Sequence, residues 1–326
     1  MLGLCCMLGY ALQPLAAYPQ TASAAAGEST TVATPAPTAR QSQDDAWWTG
    51  PMLANSAATL PRGHFLIEPY LYDASSARMD SFGSLTYMLY GLTDRLTVGL
   101  IPVFGYNRVD GAPDSSGVGL GDASVQAQYR LTEFHQGSWL PTISLMLQQT
   151  LPSGRYDHLS RASDGMGGGA AATTLQLNTQ TYFWMPNGRI VRMRLNLAGT
   201  WSGEADVVDR SVYGTADGFR GTARPGRSLL VNAAWEYSLS QHWVLAMDLT
   251  WRRTAGTRLR GYDAYGTPAP IPVRQRSRGS VALGFAPAVE YNFSARLGVL
   301  FGVRVITGGH NTPTTITPAV ALNYVH

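Results

Sequence analysis

Ala123-Ser124-Val125-Gln126-Ala127-Gln128-Tyr129-Arg130-Leu131 places an apolar or small residue at every odd position and a polar one at every even position. Extended backbone sends successive side chains to opposite faces, so this stretch reads as a strand with one oily and one wet face. Outward in both directions the pattern returns. It predicts strands over 63–72, 82–91, 95–106, 119–131, 140–152, 171–184, 190–202, 227–239, 243–253, 278–293, 296–307 and 314–326. Beyond the first pair, the links alternate short and long. The short ones include Leu92-Thr93-Asp94, Ser294-Ala295 and the hairpin signal Asn187-Gly188, whose residues tolerate positive φ. The long ones are 107–118, 153–170, 203–226 and 254–277, rich in Gly, Asp, Ser and Arg.

A water-soluble sandwich also alternates, but nothing in it segregates link lengths. The expected fold is therefore all-β, an antiparallel transmembrane β-barrel of about 12 strands with short periplasmic turns and long extracellular loops. The lipid-facing sets are clearest late in the chain: Val191, Met193, Leu195 and Leu197; Leu229, Val231 and Trp235; Leu283, Phe285 and Val289; Val299, Phe301 and Val303. Strands one and two are ambiguous. Tyr129, Trp235, Tyr237, Tyr291, Phe293 and Tyr324 gather at the short-turn ends, and Tyr106, Trp201 and Trp251 at the loop ends, as two interfacial girdles would.

Composition agrees. Charged residues make up 14% of the chain, against roughly 25% in ordinary soluble domains. All 24 basic residues are Arg and net charge is only +3, with no basic run, so nucleic-acid binding has no support. Cys5 and Cys6 are the only cysteines and lie in residues 1–26, which read as an export signal ending at Ala22-Ser23-Ala24 or Ala24-Ala25-Ala26, without a basic start. Residues 27–46 have the Ala/Thr/Ser/Pro composition of a disordered tail. Residues 47–62 begin the ordered part without a clear period, as a segment at the barrel mouth or a plug, and 63–326 form the barrel.

Two segments carry a family resemblance. Trp48-Thr49-Gly50-Pro51, with Ala58-Thr59-Leu60-Pro61-Arg62-Gly63-His64 and Ile67-Glu68-Pro69-Tyr70, resembles the start of the meta-pathway phenol-degradation outer-membrane proteins. Gly119-Leu120-Gly121-Asp122 before an alternating strand is similar to that family's recurrent Gly-x-Gly-Asp opening. Tyr90-Gly91-Leu92-Thr93-Asp94-Arg95-Leu96 matches a turn common in outer-membrane barrels. The resemblance spans roughly residues 47–326 and implies an outer-membrane, transporter-like barrel associated with the catabolism of aromatic compounds. The C-terminus keeps the apolar phase of a barrel-assembly signal at Val320, Leu322 and Tyr324, with His326 in place of the usual final aromatic.

If one face meets lipid, the charges must face the lumen, because Arg at mid-bilayer costs about 2–4 kcal/mol. The expected pore lining is Glu68, Gln126, Gln128, Arg130, Arg192, Arg194, Glu236, Asp248, Arg252, Glu290 and Arg304, with Tyr70, Tyr90, Tyr182, Trp184, Met88 and Met146 also inward. Two readings compete: a polar path for a solute, or a salt-bridge network that closes a narrow barrel. Enzyme readings fail. The six histidines lack ligand spacing, no Gly-x-Ser-x-Gly elbow occurs, no outward Ser/His pair suits a phospholipase, and Gly165–Gly169 precedes no helix. Asp157 and Asp164 read as solvated loop charge rather than a calcium site. No cofactor, metal or catalytic residue is implied. The expectation is a monomer in the outer membrane of a Gram-negative bacterium. Its partners would be lipid, a small solute and the barrel-assembly machinery. It would pass small solutes passively, with the loops at 203–226 and 254–277 gating or folding inward, or else act as a closed barrel that presents its loops.

Overall fold

The computed structural model describes residues 40–264 and 269–326. The expected signal segment, and the expected tail up to residue 39, lie outside the described residues. From Phe65 the chain runs as antiparallel hairpins. β1 (Phe65–Ser75) and β2 (Met79–Thr93) form the first. β3 (Leu96–Ile101) and β4 (Val103–Val109) are one span interrupted at Pro102, which has no N–H for the ladder. β5 (Gly119–Leu120) and β6 (Ser124–Thr132) make the next span. β7 (Thr142–Thr150), β8 (Ala172–Trp184) and β9 (Ile190–Ser202) follow. β10 (Ala205–Val208) and β11 (Phe219–Arg224) precede β12 (Ser228–Ser238) and β13 (Trp243–Thr254). β14 (Arg258–Asp263) and β15 (Ile271–Arg276) precede β16 (Ser280–Ser294), β17 (Leu297–His310) and β18 (Thr315–Val325).

With β10, β11, β14 and β15 set aside, these strands make twelve spans. β1 pairs with β2 on one side and β18 on the other, so the sheet closes on itself and leaves no edge. The wall is inverted relative to a water-soluble domain. Leu197, Leu229, Leu249, Leu283 and Phe301 are 40–59% exposed, while Arg194, Asn232, Asp248 and Glu290 are buried inside. At the short-turn end Trp243, Tyr291 and Phe293 form a run of ring contacts 4.7 and 4.9 Å between centroids, an aromatic belt.

The structure differs from the sequence reading in three places. The first loop, expected over 73–81, shrinks to residues 76–78, because the β1–β2 ladder continues through Asp73 opposite Phe82 and Ser75 opposite Asp80. Met88 and Tyr90 point outward, 43% and 45% exposed, and Leu85 and Tyr87 take the inward positions of β2. The long links of residues 203–227 and 255–279 are not free loops. β10, β11, β14 and β15 pair in that order as a four-stranded sheet that continues β9, β12, β13 and β16 beyond a short break. The register survives the break: Ser228 faces Thr254 below it and Arg224 faces Arg258 above it.

Loop 151–171 is tied down by carboxylates. The Gly154 and Gly168 N–H groups donate to Asp122 at 3.0 and 2.7 Å, the Ser116 N–H donates to Asp164 at 2.7 Å, and the Val208 N–H donates to Asp157 at 3.1 Å. Asp122, the acid of the Gly-x-Gly-Asp motif, thus closes both ends of the loop onto the strand that carries it.

Candidate functional site

The lumen is built by two sets of residues: wall side chains that alternate inward, and the segment before β1. After a 3-10 turn at Gln43–Asp45 that segment has no strand of its own, so its backbone groups need partners from the wall. It begins further upstream than composition suggests. Gln41, within the expected tail, has its carbonyl bonded by Trp184 Nε1 at 2.8 Å and donates from its side chain to Ser238 at 2.9 Å.

From there the segment crosses the barrel. Thr49 and Gly50 N–H donate to Glu290 at 2.8 and 3.1 Å, and Leu53 N–H donates to Asp248 at 3.2 Å. Arg194 donates to the Ala54 carbonyl at 2.8 Å and Asn196 to the Asn55 carbonyl at 3.1 Å. Ser56 donates to Gln180 at 3.1 Å, and Gln128 donates to the Ser56 and Ala58 carbonyls. Leu60 N–H reaches Thr97, and Arg62 N–H reaches Asp94 at the turn before β3. The path therefore runs from the β13–β16 wall to the β3–β6 wall. At its exit the chain passes so close to Gly91 that a Cβ there would strike the Leu60 and Pro61 carbonyls. The glycine of the Tyr90-Gly91-Leu92 turn is needed for this approach.

The charges sort by height. In the lower half, Glu236 is held by two guanidiniums. Arg192 binds both of its oxygens, and Arg194 Nε lies 3.0 Å from Oε2 without hydrogen-bonding alignment. The Arg192 guanidinium also stacks 4.5 Å above the Trp48 ring. Glu290 and Asp248 accept from backbone N–H groups of the crossing segment, and Asn232 also donates to Asp248 at 3.1 Å. Glu68 accepts from Asn323 at 3.1 Å. Asn178, Asn196, Gln176 and Gln128 form a buried amide ladder. Gln126 lines the same space. Arg130 sits apart at the short-turn rim, paired with Glu133 at 2.5 Å. In the upper half, Arg252 and Arg304 make no ion pair among the described residues, and Arg304 Nε is buried without a partner.

Two cavities flank the crossing segment. The lower one, about 240 Å³, is lined by the segment together with Glu68, Gln126, Gln128, Arg192 and Arg194. The upper one, about 300 Å³, is lined by Tyr72, Leu85, Arg304 and Thr317. Both are bounded by Met52, Leu53, Tyr70 and Tyr87, so these four side chains form the narrow place between them. The Tyr70 and Tyr87 rings meet edge to face at 6.1 Å.

The structure thus brings Arg192, Arg194, Glu236, Asp248 and Glu290 into one network, with Glu68, Gln126 and Gln128 across the lumen. It leaves Arg130 at the rim and Arg252 and Arg304 above. Tyr72, Tyr87, Asn232, Asn292 and Asn323 escaped sequence reasoning. Asn232 and Asn323 carried a usable signal, since each falls on the inward phase of its strand.

Residues 49–319 match the family described as "Putative MetA-pathway of phenol degradation", and the chain belongs to that family. No curated protein matches the sequence. Among solved structures, the chain is similar in fold to an outer membrane channel from Pseudomonas putida F1. The identity is 16% and the TM-score 0.62, over 84% of this chain and 100% of that one. A deletion mutant of the TodX monoaromatic hydrocarbon channel superposes less closely, with 14% identity and a TM-score of 0.44 over 88% and 97% of the two chains. So does the translocator domain of the autotransporter NalP from Neisseria meningitidis, with 12% identity and a TM-score of 0.42 over 81% and 89%.

Proposed function

We propose that the protein is a monomeric bacterial outer-membrane channel for passive passage of small, chiefly aromatic solutes, with residues 47–60 setting its bore. The observation that carries this reading is the pair of cavities that share Met52, Leu53, Tyr70 and Tyr87 as walls. Two of those four belong to a segment held by hydrogen bonds and side-chain packing, with no strand pairing. Such a segment can shift without opening the barrel. The family description and the fold shared with a solved outer membrane channel support the same reading. Transport needs no bound cofactor: diffusion past a charge-balanced constriction suffices.

A second reading has its own observation. Every acid of the lower lumen is engaged, Glu290 and Asp248 by the crossing segment and Glu68 and Glu236 by wall residues, as a closed barrel that only presents its loops would require. Single-channel current from the refolded protein in a planar bilayer separates them. Discrete steps that grow in Asp248→Ala, which frees the Leu53 N–H, are expected for a channel. A silent bilayer with verified insertion, in both wild type and variant, would favour the closed barrel.

A further inference from the structure

The upper cavity has a chemistry that the crossing segment does not use. Its walls are Leu53, Tyr72, Leu85 and Tyr87, with Thr317 and one cation, Arg304. The four lumenal acids are all engaged lower down, by Asn323, by Arg192 and Arg194, and by backbone N–H groups of residues 49–53. Asp73, beside the cavity residue Ala74, alternates to the outer face of β1 and binds Ser75. Among the described residues no acid therefore neutralises Arg304, whose Nε is buried and unpartnered. A partly buried cation with no counter-charge among the described residues favours an anion from outside.

The rest of the cavity restricts which anion. Three tyrosine rings and two leucines offer flat apolar surface, and a volume of about 300 Å³ is at the small end for ligand sites. One guanidinium matches one carboxylate in a two-pronged bond. The Tyr72 ring is preset, because it lies over Gly83 where any Cβ would strike it.

The approach is charged to suit. On the four-stranded sheet, Arg220, Arg224, Arg258, Arg260, Arg274 and Arg276 share one exposed face. Arg258 stands directly opposite Arg224 and Arg276, and Arg260 opposite Arg274, an arrangement of like charges that costs stability. With the register unbroken, this face continues the lumenal face that carries Arg252. Asp206, opposite Thr222, is an acid on this face, and the excess of positive charge there concentrates anions at the mouth.

We propose that the upper cavity is a binding site for a small aromatic monocarboxylate. The ring lies against Leu85 and Tyr87, and the carboxylate takes the Arg304 guanidinium. The site rests on the channel reading for its purpose, since its ligand arrives along the lumen, but its occupancy is measurable without any current.

The test is equilibrium dialysis of labelled benzoate against the full chain refolded in detergent, with heat-modifiable gel migration as the check of folding. Saturable binding of one benzoate per chain is expected, with the neutral isostere benzamide competing at least tenfold more weakly. Arg304→Gln should weaken benzoate at least tenfold. Gly83→Ala, which displaces the Tyr72 ring without touching Arg304, should also weaken it. Equal binding of benzoate and benzamide by the wild type would overturn the proposal, whatever the variants do, and so would full retention in a folded Arg304→Gln. Benzoate binding with a silent bilayer would sink the channel reading and leave the site. Current without benzoate binding would do the reverse.

Discussion

Four strands of this protein live in two solvents. Below their break, β9, β12, β13 and β16 expose Leu197, Leu229, Leu249 and Leu283 and bury Arg194, Asn232, Asp248 and Glu290. Above it, their continuations bury Val207, Phe219, Ala223 and Leu259 at 0–6% exposure and leave six arginines open. Register and alternation are shared; only the burial of the apolar side reverses. Lipid solvates the outward apolar face directly. In water the same face must be covered, and Tyr213 and Val273 pack against it. A strand's pattern fixes which residues share a face, and the surroundings decide which face is hidden.

The largest effect should come from the covered face. Phe219 is 2% exposed at the centre of the upper cluster. Phe219→Ala should cost about 3–5 kcal/mol of local stability. The expected result is rapid proteolysis within residues 205–224 with normal insertion and normal heat-modifiable migration. Loss of insertion would mean that the upper sheet is part of the barrel's own folding unit. The next effect belongs to the lipid face. Leu249→Arg should cost about 2–4 kcal/mol near mid-membrane and reduce the membrane-inserted fraction. Thr222→Arg, on the arginine face above the break, should leave insertion unchanged. Equal impairment by both would break the two-solvent comparison.

Which parts were readable in the sequence follows from the same contrast. Strands such as β9 and β12 were legible because one face is apolar and the other carries Arg192, Arg194 and Asn196, or Asn232 and Glu236. β2 was not. Phe82, Met88 and Tyr90 face out while Leu85, Tyr87 and Leu89 face in, because its inner side bounds the cavities and not a polar network. The upper sheet reads as loop from its glycine and arginine content, although Arg258-Leu259-Arg260 already alternates. The path of residues 47–60 left no trace, since its bonds join backbone groups to side chains up to 245 positions away and no local code records them. The inward charges were assigned from alternation alone. Their division into a bonded lower network and an unpaired upper pair depends on that unpatterned segment.

The smallest effect tests how the mouth is fastened. Loop 151–171 reaches the link between β4 and β5 through buried Asp164, and the Ser116 N–H holds that carboxyl below its ordinary value of 3.8, helped by the Ser116 hydroxyl, Arg161 and Arg155. A depressed folded-state value means the charged form favours the docked loop. The contribution is complete above the ordinary value and fades as pH falls through the lower one. Amide-exchange protection of Ser116 and residues 159–165, corrected for intrinsic rates, should be flat from neutral pH to about pH 5 and decline below about pH 4. Asp164→Asn should start from weaker protection and lose that acid step, since its amide does not titrate. A flat profile through that acid range in the wild type would mean that Asp164 does not fasten the loop.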